Sequence, residues 1–387
     1  MSTHNDAYNV QVVTSLCEVN KEQWQTVFSC DYPFSQFGFL SALEKSQSTD
    51  ANSGWQPLHI LIYDKDILIA AMPCYMKNHS YGEYIFDWSW ADAYQQQNLD
   101  YYPKLVTAIP FTPATGPRIG IHPEYLSNTS NLVGCMLDAI KFLQNKYQTS
   151  NWQCLFSDET LSKLLTQQGC IERHEIQYHW RNNNYQQFDD FLASLKSRKR
   201  KAINKERIAI AKQQLSFKWL VGSDIGDDDW RIFYQYYQST YLKRSGHDGY
   251  LNEDFFNLLS AEMADSVLLL QVSNDELDVV ASALFFQSKT HLYGRYWGAN
   301  DEYDFLHFEA CYYQGIEYCI KHNLQCFDAG AQGEHKLKRG FVATKTYSSY
   351  LLANSPLKPA IEDFIEREKN HQQDYIEKAN KHLPFKN

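Results

Sequence analysis

The same succession of patterns occurs twice along this chain, and any fold must accommodate both copies. Each begins with two apolar runs joined by a short polar turn: Leu58 to Tyr63 with Ile67 to Tyr75, then Val267 to Val272 with Val279 to Gln287. An amphipathic helical stretch follows in each, Leu132 to Tyr147 and Leu306 to His322. Next comes a short strand opening with Gln-Cys, at Gln153-Cys154 and Gln325-Cys326, and a closing strand, Ile171 to Trp180 or Tyr347 to Leu352. Duplication on this scale predicts two mixed α/β units and argues against a solenoid of short repeats. At 387 residues the chain is also long for one hydrophobic core. The polar break Asn182-Asn183-Asn184 sets the expected domains at 1–183 and 184–387.

Composition narrows the classes. A formal net charge of -10 argues against indiscriminate nucleic-acid binding, though a local basic groove is compatible with it. Nine cysteines lie singly, with no C-x-x-C pair, which fits reduced thiols and neither a disulfide framework nor a zinc site. Met1 to Asn9 lacks the basic-then-apolar pattern of a secretion signal, and the longest apolar run, Ile67 to Met76, is too short to span a bilayer. The expectation is a cytoplasmic protein with no membrane span and no metal.

The second Gln-Cys strand ends in the stretch Asp328-Ala329-Gly330-Ala331-Gln332-Gly333-Glu334-His335-Lys336, which continues to Lys338-Arg339-Gly340-Phe341. Small residues after a strand let a ligand approach the main chain, and successive N–H groups can cradle an anion or oxyanion. Glu334 and His335 offer proton transfer, and Lys336 and Arg339 offer positive charge. Loops at strand ends host sites disproportionately, which favours a functional reading over a mere turn.

Two other stretches stand out. Lys77 to Arg118 mixes aromatic and polar groups too densely for a plain core element, either as a cross-braced loop or as a cleft with carboxylates (Glu83, Asp87, Asp92) and bases (Lys104, Arg118). Phe188 to Gln214 reads as one basic helix carrying a run from Lys196 to Lys212, with Leu192, Leu195, Ala202 and Ala209 as its buried stripe. Such a run is usually a solvated face, but in an acidic protein it also suits a polyanion. Pro356 and Pro359 introduce a terminal helix, expected over 357–381.

The basic helix Ser197 to Ile203, the Asp-Ala-Gly strand end and Lys338 to Phe341 resemble the FemAB/FemX aminoacyl transferases, which carry two GNAT-like domains. The stretches HSYGEYIFDWSW from His79, YYPK from Tyr101, PFTPATGPR from Pro110, LHFEACYYQ from Leu306 and GAQGEHKLKRGF from Gly330 resemble more closely the FemAB-like family of peptidoglycan biosynthesis/recognition. The resemblance implies tandem GNAT-like domains with mixed sheets, and transfer of an acyl or aminoacyl group to an amine, such as that of a peptidoglycan precursor. It implies acetyl-CoA or aminoacyl-tRNA as donor, a small-molecule or peptidyl amine as acceptor, and a tRNA acceptor end as a partner for the Lys196–Lys212 helix. One departure is at Thr115-Gly116-Pro117-Arg118-Ile119-Gly120, where a proline sits inside the glycine turn that would bind a coenzyme pyrophosphate. It removes an amide donor and argues against acetyl-CoA.

Acyl transfer needs a base, donors for an oxyanion and groups that fix both substrates. Candidates for the base are Glu309, Glu334 and His335, with His307 in reserve; two apart on a helix, His307 and Glu309 do not share a face. Backbone N–H groups from Gly330 through Gln332 to Gly333 are candidates for the oxyanion, and Lys336 and Arg339 for the donor's phosphate or carboxylate. The Lys77–Arg118 segment would bind the acceptor, with Trp88, Trp90, Tyr101 and Tyr102 stacking on it. The competing class is a non-catalytic peptide- or peptidoglycan-recognition module on a scaffold that has lost its coenzyme loop. Oligomeric state is not legible in the sequence.

Overall fold

The computed structural model describes residues 2–5, 8–300, 303–331 and 333–386. The chain forms two compact units, Met1–Glu175 with Lys345–Asp374, and Ile176–Thr344 with Tyr375–Asn387. This division differs from contiguous halves meeting at 183/184. The reason lies in strand pairing: the strand that closes each copy of the sequence pattern pairs within the other unit. His179–Arg181 pair with Cys326–Asp328 of the second unit, and Tyr347–Leu352 pair with Asn151–Ser157 of the first.

In the first unit Tyr8–Val13, His59–Asp64 and Ile67–Met72 form an antiparallel meander. Pro73, which cannot donate to a ladder, separates Ile67–Met72 from Tyr75–Lys77, and the latter pairs with Trp55–Pro57 and Lys104–Thr107. Lys104–Thr107 then runs parallel to Asn151–Ser157. A parallel pair needs a crossover, and the helix Thr129–Tyr147 supplies it, burying Leu132, Val133, Met136, Ile140 and Leu143 along one stripe.

The second unit repeats the plan. Ser216–Val221, Val267–Ser273, Val279–Gln287 and His291–Ala299 are antiparallel neighbours in that order. His291–Ala299 is parallel to Cys326–Asp328, with the helical segment Leu306 to Lys321 between them in sequence. The turn Glu309–Tyr313 within that segment is a π-helix, a distortion that often marks functional sites because it re-aims side chains.

The basic stretch is two helices, Phe188–Ser194 and Ser197–Ala211, where one was expected. At the break Leu195 adopts extended backbone, forms a bridge to Phe385, and is fully buried; the Lys196 N–H bonds Pro384. Long-range pairing overrides helix propensity here. The inward stripe of the second helix is Ile203 and Ile210, and Ala202 faces out. The terminal helix, Lys358–Lys381, is where the prolines place it. None of the described helices is long and apolar enough to cross a membrane, and no described His, Cys, Asp and Glu cluster could hold a metal.

Candidate functional site

In the second unit the parallel pair ends at Tyr293 and Asp328, and the chain then turns. Asp328 makes the turn itself: its Oδ1 accepts from the Gly330 N–H at 2.9 Å, and Gly330 has φ +82, a backbone that glycine adopts without strain. His179, buried opposite, lies 3.8 Å from the other carboxylate oxygen, and burial holds its pKa below the usual imidazole value. Lys336 braces the turn from within, donating to the Ala329 carbonyl at 3.0 Å and the Gly330 carbonyl at 2.6 Å. Burial lowers its pKa to about 8. On the facing strand the register slips so that Gly294 stands opposite Phe285 and Tyr296 opposite Leu284, a bulge at Arg295 beside the turn.

His335 follows on the one-turn helix Glu334–Arg339. Its Nε2 lies 2.9 Å from the Tyr312 hydroxyl, and its ring lies 5.8 Å from Phe308. Gly333, at φ +105, leaves room for that ring: a Cβ there would come within 2.8 Å of His335. His307 also packs on this tyrosine, edge-on, with ring centroids 5.4 Å apart. Partial desolvation of His335, with Arg339, Lys336 and Lys338 nearby, lowers its pKa and favours a neutral ring that can accept a proton. His307 is lowered further, to about 4, by burial first and then by Arg244 and the other cations. The structure therefore gathers His307, Tyr312, His335 and Lys336 around one aromatic floor. Tyr312 is the member that sequence reasoning missed, because nothing in the spacing separates it from a core tyrosine.

The remaining candidates are placed differently. Glu309 is buried and points to Arg207, which grips it at 3.0 and 3.2 Å and also binds Glu317. Glu334 is exposed and accepts from Tyr375 at 2.7 Å. Arg339, expected to hold a donor phosphate, is buried and engaged: Nε on Tyr313, Nη1 on the His335 carbonyl, Nη2 on Glu206. Lys336 likewise serves the loop and not an open surface. Gln332 lies outside the described residues. The cations nearby that are not buried include Arg198, Lys199 and Lys338, with Arg244 on the His307 side; partial burial, then Lys338 and Arg198, lower the Lys199 pKa.

In the first unit the Lys77–Arg118 stretch takes the cross-braced form and not that of an open cleft: its charges make a closed polar core. Lys104 is fully buried and donates to Ser80 at 2.8 Å, Glu83 at 2.7 Å and Asp87 at 2.5 Å. Tyr101 and Gln153 donate to the same Asp87 oxygen, and Lys77 lies 3.8 Å from Glu83. Two lysines and two carboxylates make a neutral set, which is how buried charge is tolerated. Burial still pushes Glu83 up and Lys77 down, each to about 7; at Asp87 burial also pushes up, but Lys104 and the Ser80 and Tyr101 hydroxyls together hold the carboxyl low. Arg118 is also buried, with Nε on the Leu155 carbonyl, Nη1 on Gly116 and Nη2 on Ala114.

Of the four rings expected to stack on an acceptor, Trp90 and Tyr101 are buried and Tyr102 is half-buried with its hydroxyl on Ser80. Trp88 is the exposed one. Asp92 is exposed on the helix Trp88–Gln96.

Comparison with known proteins fits this plan. The FemAB-like family, described as peptidoglycan biosynthesis/recognition, matches residues 15–387, and the chain belongs to it. Among solved structures, FemX superposes with a TM-score of 0.52 at 12% identity, covering 89% of this chain and 98% of its own. The C-terminal domain of a putative lysylphosphatidylglycerol synthetase from Agrobacterium fabrum gives 0.52 at 10% identity, covering 90% and 95%. L-PGS from Bacillus licheniformis gives 0.50 at 10%, covering 85% and 95%. These likenesses are of fold: the mixed α/β, tandem GNAT-like architecture is the one present. No curated protein matches the sequence significantly.

Proposed function

We propose that the second unit transfers an acyl or aminoacyl group to an amine, with His335 as the base. The observation that carries this reading is the surface-accessible imidazole of His335, hydrogen-bonded to Tyr312 beside the Asp328–Gly330 turn, where partial burial and nearby cations lower its pKa. As the amine nitrogen bonds to the acyl carbon and the donor's C–S or C–O bond breaks, His335 takes the amine proton. Tyr312 holds the ring in place, and Arg198, Lys199 and Lys338 offer charge for an anionic donor, acetyl-CoA or aminoacyl-tRNA. A peptidyl amine of a peptidoglycan precursor is the acceptor that the family description favours. A cytoplasmic location follows from such a precursor and belongs to the same proposal.

The test is ligand-induced stabilisation followed by turnover. Acetyl-CoA, free CoA and an aminoacyl-tRNA mixture are each added and the melting temperature read; a hundredfold excess over Kd stabilises by about 2.7 kcal/mol. His335→Ala should then keep donor binding and lose transfer. Equal turnover in His335→Ala and wild type overturns the assignment. One observation favours the recognition module instead: Lys336 and Arg339 are both engaged within the protein. No stabilisation by any donor would decide for that reading.

A further inference from the structure

The segment from Asn78 to Trp88 in the first unit contains no strand and enters a helix only at Trp88, yet it is bound unusually firmly. Its inward residues, Ser80, Glu83 and Asp87, all bind the buried Lys104 ammonium. The Lys77 ammonium holds the Tyr81 carbonyl at 2.9 Å, and Arg173 donates to the Phe86 carbonyl at 3.3 Å. Burying four charges to fix one loop is costly in desolvation, and hydrophobic residues would fix a core at least as well. What the braces achieve shows on the other side. Tyr81, Phe86 and Trp88 are 56%, 58% and 37% exposed, three large rings presented within eight residues. Tyr81 and Trp88 lie 5.2 Å apart with planes at 58°, and His79 abuts Tyr81 at 5.3 Å.

We propose that this loop is a preformed saccharide-binding platform, on which Tyr81 and Trp88, with planes at 58°, offer separate flat faces to the C–H faces of neighbouring pyranose units of an oligosaccharide. Its chemistry selects that ligand. The exposed apolar groups are aromatic, with flat faces and, for Tyr and Trp, polar tips, and no aliphatic side chain shares the loop's outer surface. The exposed neighbours Asn78 and Ser89 are neutral donors and acceptors suited to a rim of hydroxyls. The exposed charged side chains between residues 78 and 100 are Asp92 and Asp100, both acidic, so this stretch offers no exposed cation to an anionic lipid surface or a phosphate. A rigid aromatic platform loses little conformational freedom on binding, and this is the gain that a braced loop provides. The platform is separate from the His335 chemistry, and its occupancy is read without turnover.

The test is calorimetric titration of the full chain with chitopentaose and with cellopentaose, alongside phosphatidylcholine vesicles. Wild type is expected to bind at least one oligosaccharide. Trp88→Ala and Tyr81→Ala should each weaken it by about tenfold or more; the melting temperature should hold in Tyr81→Ala, whose ring is 56% exposed, and fall only slightly in Trp88→Ala, whose ring is 37% exposed. Wild type that binds neither saccharide at millimolar concentration, or variants that bind as wild type does, overturns the proposal. Vesicle binding that Trp88→Ala abolishes overturns it in favour of a lipid surface. Failure of acyl transfer leaves the platform standing.

Discussion

The two units end their parallel strand pairs in different ways. In the first, the pair Lys104–Thr107 and Asn151–Ser157 is sealed beyond Cys154: Arg118 binds the Leu155 carbonyl, and the Gly116 N–H binds Phe156. Tyr32 packs so tightly over Gly116 that a Cβ there would come within 2.5 Å of its ring. In the second unit a buried cation again binds carbonyls beyond the pair, Lys336 on Ala329 and Gly330, but the chain then brings an exposed histidine back to the turn. The nearby charges differ too. The first unit's lysines and carboxylates neutralise one another in the core, whereas the second keeps Arg198, Lys199 and Lys338 close together outside its core. One scaffold, used twice, yields a closed polar core in one copy and an open strand end in the other. The glycine turn with Pro117 is part of the seal, which gives a structural reason for its departure from a coenzyme loop.

The contrast can be broken most severely at Lys104. Lys104→Met leaves Glu83 and Asp87 buried without their cation and should destabilise the chain by about 3–5 kcal/mol in urea unfolding. A loss under 1 kcal/mol would mean that water enters the cluster and that the core is not closed. At the open end, His335→Ala should lower transfer by about 10²–10⁴-fold while the melting temperature holds. In wild type the acid limb of transfer should fall below pH 6.5, since the His335 pKa is lowered from that value. A limb at or above 6.5 would assign the base elsewhere.

His307 sharpens the comparison through pH. Unfolded it takes a proton near pH 6.5, folded near pH 4. Between those values the unfolded chain holds more protons, so stability is complete above the window and is lost as pH falls through it. The loss amounts to about 3 kcal/mol, and His307→Gln should remove it when urea midpoints at pH 4.5 and pH 7 are compared. The smallest effect is expected at Gly333. Gly333→Ala strains a backbone at φ +105 and pushes on His335, costing about 1–3 kcal/mol of stability and reducing transfer. Wild-type turnover in that variant would show that the seat of the ring is unimportant.

Much of this was legible in the sequence. The duplicated order of strand pair, helix and Gln-Cys strand fixes two mixed units because periodicity and turn residues are local properties. The Asp-Ala-Gly strand end marked the turn for the same reason: glycine and aspartate act on their own backbone. Burial was not legible. Glu83, Asp87, Lys104 and Arg118 look like cleft residues because their charge is local information, whereas their partners come from distant parts of the chain. Glu309 looked as available as His335 until folding set Arg207 against it. The exchange of closing strands escaped for a like reason: a strand's residues determine that it pairs, and the tertiary structure decides with which neighbour.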